Sequence, residues 1–369
     1  MIIHKIRLAN FRNIKERLLN FSSGTSVIIG PNASGKTNVL EAIYLLSFGK
    51  SFRAKIEEEM INHASDLARI SGLFVGLSKD IKEKKDSVVK AEVVLTRGEI
   101  TIGDEKTQKT PRKKLIINGV SRRLFNFAGN FRVVLFGPQD LELVTESPSV
   151  RRKFMDSVLI QVDREYRRAL FSYEKGIKQR NRLLFRIREE GVSRSQLMFW
   201  DRLLIKNGNY VSVKRKEFID FVNTTSDFNE EDFSLEYEMS AISETRLDQY
   251  KEEEVAAATT LVGPHRDDFC FKLKVGSGRK SKARNLAKYG SRGEQRMGVL
   301  WIKLAELKFI KEITGEKPTL LLDDIFSELD SRHRKIVMDV VKDQQTIITT
   351  ADTHFIKGFE GGVRINLKN

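Results

Sequence analysis

One run of eight residues limits the possible fold more than anything else in the chain. Gly30-Pro31-Asn32-Ala33-Ser34-Gly35-Lys36-Thr37 fits the pattern G-x-x-x-x-G-K-[ST]. Its flanks agree with the pattern. Ser26–Ile29 reads as a short buried strand of β-branched residues, and a helix from about Lys36 puts Val39, Leu40, Ile43 and Leu46 on one face. A glycine-rich turn between a strand and a helix lets backbone N–H groups and the helix N-terminus cradle phosphate oxygens. Lys36 neutralises the outer phosphates and the Thr37 hydroxyl can ligate Mg²⁺. Asn32, Ala33, Ser34, Gly35, Lys36, Thr37 and the following Asn38 are therefore the candidate ATP-binding residues.

A second piece of the same chemistry lies far along the chain. Pro318-Thr319-Leu320-Leu321-Leu322-Asp323-Asp324 is an apolar strand ending in two carboxylates, which repel each other unless a cation is near. Asp323 would hold Mg²⁺, directly or through water, and Asp324 stands where a general base or water-orienting acid is wanted. A strand ending in a solvated turn is the plain alternative, and the phosphate loop argues against it. About thirty residues before the acid pair, Tyr289-Gly290-Ser291-Arg292-Gly293-Glu294 opens a helix, and a Ser-x-Gly turn at a helix N-terminus is another anion site. One chain has no second triphosphate to offer it. A second copy supplying Ser291 and Gly293 across a two-fold interface resolves this, so ATP becomes the glue of a homodimer, the ABC arrangement. Asp330, in the run Ser327-Glu328-Leu329-Asp330, joins the nucleotide-facing set.

The expected fold class is α/β: an ABC-type phosphate-loop ATPase domain with an antiparallel β subdomain and an inserted α-helical lobe. From Ala68 to Arg123 apolar residues recur with period two, broken by turns such as Arg97-Gly98 and Asn118-Gly119, which predicts an antiparallel meander. Ser147-Pro148 is a helix start, and helical spacing runs from Val150 onward to Leu184. After a break around Gly191–Ser193 a second long helix is expected over about Gln196–Asn223. The predicted division is a discontinuous head, 1–146 and 259–369, with a lobe at 147–258. Phe199 and Trp200, at helical spacing from Leu203 and Leu204, read as core rather than as a base-stacking platform, and Cys270 as a buried strand residue.

The charge balance bears on partners. The net charge is +15, and Lys272 to Arg296 carries nine Lys or Arg residues before and around a single acid, Glu294. Such a field attracts polyanions, nucleic acid first among them, although solubility alone is the blander reading. The longest apolar runs fall far short of the roughly 20 residues that span a bilayer. The first residues read as a strand rather than a signal peptide, and a lone cysteine excludes an internal disulfide. A cytoplasmic protein that does not enter a membrane is expected.

Motifs across nearly the whole chain, in order, carry a family resemblance. Asn10-Phe11-Arg12-Asn13, Gly35-Lys36-Thr37-Asn38, Leu40-Glu41-Ala42-Ile43-Tyr44 and Gly49-Lys50-Ser51-Phe52-Arg53 begin the set. Phe136-Gly137-Pro138-Gln139-Asp140-Leu141, Arg151-Arg152, Gln179-Arg180-Asn181 and Gly263-Pro264-His265-Arg266-Asp267-Asp268 continue it, ahead of the acid pair. The chain resembles the RecF family. That resemblance implies an SMC-like head with a helical lobe in place of coiled-coil arms and ATP-dependent dimerisation on double-stranded DNA and at single-strand/double-strand junctions. It also implies slow, DNA-stimulated hydrolysis, and cooperation with RecR and RecO in placing RecA at gaps. It makes Arg12 a candidate nucleotide contact, with a surface arginine as the equal alternative, and Gln139 a candidate for sensing Mg²⁺ or the attacking water. Two departures stand out: Arg292 and Glu294 replace the family's glutamines around Ser291 and Gly293, and Gln139 replaces the more frequent Glu. After the strand Thr346–Ile348, Thr350, Asp352 or His354 would supply the switch position. Three other classes are weighed on sequence alone: a transporter ATP-binding subunit, a chromosome-organising SMC-like head, whose long arms this length cannot supply, and a DNA-binding module that holds ATP without hydrolysing it.

Overall fold

The computed structural model describes residues 1–76, 88–102, 106–225, 232–275, 282–327, 329, 331–351 and 362–367. By packing, the chain forms two compact units, Met1–Gln139 with Ile310–Asn369, and Asp140–Phe309.

The first unit holds two large sheets. A five-stranded sheet runs Val133–Phe136, Thr319–Asp323, Thr346–Thr350, Thr25–Ile29, Val363–Asn366, and every neighbouring pair is parallel. Parallel strands are covered on both faces, which is why Thr319–Asp323 and Thr346–Thr350 are buried at every position. The helix Lys36–Phe48 follows the strand Thr25–Ile29, and the expected face of Val39, Leu40, Ile43 and Leu46 is buried throughout. Gly49 ends it in a left-handed conformation, where a Cβ would press on Leu115 and Leu124.

The second sheet is the expected meander. Its order is Ile14–Asn20, Ile2–Phe11, Leu67–Val75, Val88–Thr96, Lys113–Ile117, Val120–Arg122, antiparallel throughout. Within the span expected to form the meander, Glu99–Ile102 pairs with Lys106–Lys109 as a separate two-stranded ribbon among the described residues.

The second unit is built on the helices Pro148–Val162, Arg164–Glu190 and Met198–Thr224. The helix expected to run unbroken to Leu184 is divided at Asp163. That residue has extended dihedrals, and its carboxylate accepts the N–H groups of Glu165 and Tyr166, capping the second helix. Leu204, Val211 and Phe218 fill the inward face of Met198–Thr224, with Asp201 taking the guanidinium of Arg180. Phe199 falls on the far side of the helix and is 66% exposed, edge-on to Trp200, so the core reading fails for it. A three-stranded sheet, Phe233–Glu238, Asp268–Val275, Lys282–Asn285, completes the unit and carries the half-buried Cys270. Because Phe233–Glu238 pairs with Asp268–Val275, the boundary expected at residue 258 falls inside this unit.

Candidate nucleotide site

The phosphate loop is shaped by its backbone. Ala33 and Gly35 both have positive φ, at 65° and 95°, an alternation that turns successive N–H groups toward one concavity. A Cβ at Gly30 would meet Ser34 Oγ at 2.5 Å and the Leu367 carbonyl at 2.8 Å, so only glycine fits there. Gly35 caps the helix without a side-chain bond, and the first turn carries no acid to compete with phosphate. Lys36 is buried and donates to the carbonyls of Gly30 and Pro31 at 2.8 and 2.9 Å. Its ammonium is thereby held over the loop that is to receive the phosphates.

The parallel sheet brings the acid strand to this loop. Asp323 is level with Thr349, and Thr349 with Ile28, in adjacent parallel strands. Asp323 Oδ1 accepts from Thr37 Oγ1 at 3.1 Å and from Thr349 Oγ1 at 2.6 Å. A carboxylate and a hydroxyl sharing one hydrogen bond at a phosphate loop are the oxygen donors that Mg²⁺ takes, mostly through water. Gln139 comes to the same place: the α-carbon of Gly137 faces both Asp323 and the Gln139 amide, where an added Cβ would stand 3.3 and 3.5 Å away. Two buried polar atoms here, Ser34 Oγ and Gln139 Nε2, have no hydrogen-bond partner among the described residues. Orphans of that kind cost free energy unless a ligand or ion completes them. The residues present fit ATP with Mg²⁺. Asp324 follows in a left-handed conformation, φ 51°, with its N–H on the Thr349 carbonyl at 3.2 Å. Left-handed backbone in a non-glycine residue is uncommon, and it aims the side chain off the strand.

Arg12 does not point at the loop. Its guanidinium forks onto Glu41 at 2.7 and 3.0 Å and donates to the Glu59 carbonyl at 2.6 Å. Glu41 is fully buried and also accepts from Ser51 Oγ at 2.6 Å and from Arg53 at 2.8 and 3.0 Å. Burial pushes its carboxyl pKa up, but the hydrogen bonds from Arg12, Arg53 and Ser51 together carry it below the usual range. Arg53 also donates to Asn38, Asn38 donates to Asn13 at 2.6 Å, and Asn13 donates to the Ala33 carbonyl at 3.0 Å. An unbroken chain of bonds thus ties two arginines to the phosphate loop. Sequence reasoning missed Glu41, Asn13 and Thr349 as site residues. Thr349 left no signal, because its place level with Asp323 depends on the pairing of two strands distant in sequence.

Ser291 and Gly293 belong to the other compact unit and are both exposed. Ser291 Oγ accepts the Glu294 N–H at 3.2 Å, while Glu294 accepts the Ser291 N–H at 2.7 Å, a capping box at the start of Arg292–Thr314. Glu294 is also paired with Arg284. Chiefly the Ser291 N–H, with Arg284 adding, holds its carboxyl below the usual range. The charge of Glu294 is therefore engaged locally, by the Ser291 N–H and hydroxyl and by Arg284. Only the Ser291 hydroxyl, 3.9 Å away, lies near a Cβ built on Gly293, so that face is open. Asp330, Asp352 and His354 lie outside the described residues.

The corner Gly263–Asp268 is a hydrogen-bonded anchor. Asp267, fully buried, takes Arg215 at 3.0 Å, Tyr237 at 2.5 Å and the Ser240 N–H at 2.7 Å. Asp268 takes a fork from Arg151 at 2.7 and 2.9 Å. Both ring nitrogens of His265 are engaged, by the Tyr173 hydroxyl at 2.8 Å and the Thr260 carbonyl at 2.9 Å. Burial, against the pull of the Thr260 carbonyl, lowers its pKa to about 4. Arg180 and Asn181 hold Thr260 from the neighbouring helix.

The fold and site define a phosphate-loop head ATPase of the ABC and SMC type. Residues 2–369 match the family described as RecF/RecN/SMC N terminal domain. A RecF described as a DNA replication and repair protein from Herpetosiphon aurantiacus is 35% identical over 95% of this chain and 94% of its own length. One from Clostridium botulinum is 35% identical over 95% and 92%. The structure of a recombination mediator RecF with ATPrS, in the RecFOR pathway, superposes with TM-score 0.83 at 29% identity, covering all of this chain and 96% of that one. An SMC head bound to the C-winged helix domain of ScpA matches at TM-score 0.50 and 17% identity, a likeness of fold alone. The chain belongs to the RecF family.

Proposed function

We propose that this chain binds ATP with Mg²⁺, closes into a homodimer on duplex DNA and at single-strand/double-strand junctions, and opens again on slow hydrolysis. One observation carries the nucleotide part of this reading: the hydrogen bond from Thr37 to Asp323, which joins the phosphate loop to the acid strand beside the orphaned Ser34 and Gln139 atoms. Lys36 and the loop N–H groups would hold the phosphates, and Thr37, Asp323 and Gln139 would hold the ion. Mg²⁺ would neutralise charge developing on the transferred phosphoryl group. Asp324 would orient or deprotonate the attacking water. Positioning and electrostatics suffice for this reaction.

The dimer rests on Ser291 and Gly293, exposed at a capped helix start and open toward a second copy's triphosphate. Functionally, 1–146 and 259–369 act as the head and 147–258 as the lobe, because the signature turn works with the nucleotide. Asp330 is retained with this set, and Arg12 acts on the site through Glu41. We further propose that it serves recombinational repair in the cytoplasm, with RecR as direct partner and RecO and RecA in the same pathway, a reading supported by membership of a family described as DNA replication and repair proteins.

A phosphate-release assay with duplex DNA, paired with binding of a fluorescent ATP analogue, tests the chemistry. Asp324→Asn is expected to bind the analogue like wild type and to lose about 100-fold or more in turnover, the scale of a general base. Lys36→Met is expected to lose binding itself. Full turnover in Asp324→Asn would remove that residue from catalysis. The short Asp324 side chain also favours a second reading, an ATP-holding module that never hydrolyses; wild type releasing no phosphate would establish it.

A further inference from the structure

The turn Gly290–Gly293 is held from behind and open in front. A Cβ at Gly290 would meet both the carbonyl and the side chain of Leu286 at 2.6 Å, so the chain passes tightly over that residue. Gln295, buried in the first turn of Arg292–Thr314, donates to the carbonyls of Leu286 and Gly290 at 3.2 and 3.4 Å. Gly298 brings the same helix against Leu286, where a Cβ would stand 2.7 Å from a methyl group. Val299, Leu300, Trp301 and Ile302, farther along the helix, are buried. Backbone tied at so many points presents its outward side chains in fixed places.

One of those side chains has no task in the fold. Arg292 is the first residue of the helix and is exposed. Its guanidinium makes no hydrogen bond or ion pair among the described residues. A cation at this end of a helix faces the positive pole of the backbone dipoles, so it works against the helix rather than for it. The acid of the same turn, Glu294, does not relieve it, being bound to the Ser291 N–H and to Arg284. Arg292 is also a place where this chain departs from the glutamine of its family.

The phosphate loop calls for a further cation. Ser34 Oγ and Gln139 Nε2 are buried there without partners among the described residues, which marks the place of a ligand. Arg12 and Arg53, joined to the loop by a chain of hydrogen bonds, put their guanidinium groups on Glu41 and not on the loop. Charge on the terminal phosphate of ATP spreads over its outer oxygens as the phosphoryl group transfers, and a planar fork of N–H donors matches those oxygens.

We propose that Arg292 of one copy contacts the terminal phosphate of the ATP held by the other, as a catalytic arginine supplied across the interface. The inference rests on the clamp reading and adds to it the residue by which the closed dimer tells ATP from ADP and turns it over. In the step itself water adds to the terminal phosphorus, the bond to the bridging oxygen breaks, and ADP leaves with that electron pair. The water's proton leaves toward Asp324, while Arg292 donates hydrogen bonds to the outer oxygens and keeps its own protons.

The test is phosphate release at saturating ATP with duplex DNA, over protein concentrations that span monomer and dimer, with sedimentation velocity at the same concentrations. The full-length proteins are wild type, Arg292→Gln, Arg292→Lys and Lys288→Gln, the last removing an exposed charge from the same surface. Arg292→Gln is expected to lose at least about tenfold in kcat, less than the roughly thousandfold or more that an arginine supplied in trans gives a GTPase. Arg292→Lys should recover part of that loss, since it restores the charge but not the fork. Lys288→Gln should stay near the wild-type rate. A fluorescent ATP analogue should bind monomeric Arg292→Gln as it binds wild type, because the arginine does not touch its own copy's nucleotide. The melting temperature of Arg292→Gln should equal or slightly exceed that of wild type, as a cation leaves the helix start.

The gap in rate between wild type and Arg292→Gln should open as the concentration rises through the dimer range. A gap that is the same at every concentration would place the arginine in its own copy's site and overturn the proposal. So would Arg292→Gln turning over at the wild-type rate, or Lys288→Gln falling as far as Arg292→Gln, the sign of a general field and not of a contact. An ATP-dependent wild-type dimer together with a fully active Arg292→Gln removes the arginine and leaves the clamp standing. A wild type that forms no such dimer takes both away.

Discussion

Glu41 shows how much of this site rests on one buried side chain outside the phosphate loop. Its buried carboxylate holds Arg12 and Arg53, and Arg53 leads through Asn38 and Asn13 to Ala33 in the phosphate loop. Glu41→Gln is expected to cost about 3 kcal/mol, the low end for breaking a buried ion pair because both arginines reach solvent. Since the folded pKa of Glu41 is lowered, its contribution is present above the ordinary carboxylate range and disappears as the pH falls through the folded value. Urea unfolding of the two proteins should therefore show a gap at pH 7 that narrows toward pH 3; a gap independent of pH would remove the charge from the explanation. The sequence made Lys36, Thr37, Asp323 and Asp324 legible as candidates because each is marked by its neighbours in the chain, and the fold brings Thr37 and Asp323 together. Glu41 was not legible, because its partners lie 29 residues before it and 12 after it, and only the fold brings them together.

At the scale of elements, periodicity located the long helices but not what divides or joins them. Asp163 interrupts a pattern that reads as continuous, since its capping carboxylate outweighs the helical spacing on either side. The corner at Gly263–Asp268 was legible as a motif, while its role as an anchor emerged from burial: Asp156 and Asp267 share Arg215, and His265 is locked between Tyr173 and Thr260. The folded His265 takes its proton at about pH 4, far below the unfolded ring, so its contribution is full above the unfolded pKa and shrinks as the pH falls toward 4. Over that interval wild type should lose about 3 kcal/mol relative to His265→Gln. Thermal melts of both proteins at stepped pH measure this, and parallel curves would mean that the ring is not held neutral. The paired parallel sheet was likewise beyond sequence reasoning, because strand order depends on crossovers that leave no local mark.

At the scale of the whole molecule, the proposed clamp needs two copies. A net charge of +15 gives a field suited to DNA, and binding should weaken steeply as salt rises, with log K linear in log salt. Charge alone does not clamp. Ser291 and Gly293 sit exposed on one compact unit, and the phosphate loop, Thr37 and Asp323 on the other, so each copy would bring both elements that the proposed clamp uses. Sedimentation velocity of wild type, Ser291→Arg and Asp324→Asn, each with and without ATP and Mg²⁺, addresses this directly. Wild type is expected to be a monomer without ATP and a dimer with it, Ser291→Arg to stay monomeric, and Asp324→Asn to hold the dimer longest. A wild type that stays monomeric with ATP and Mg²⁺, or a Ser291→Arg variant that dimerises as well as wild type, would contradict the clamp.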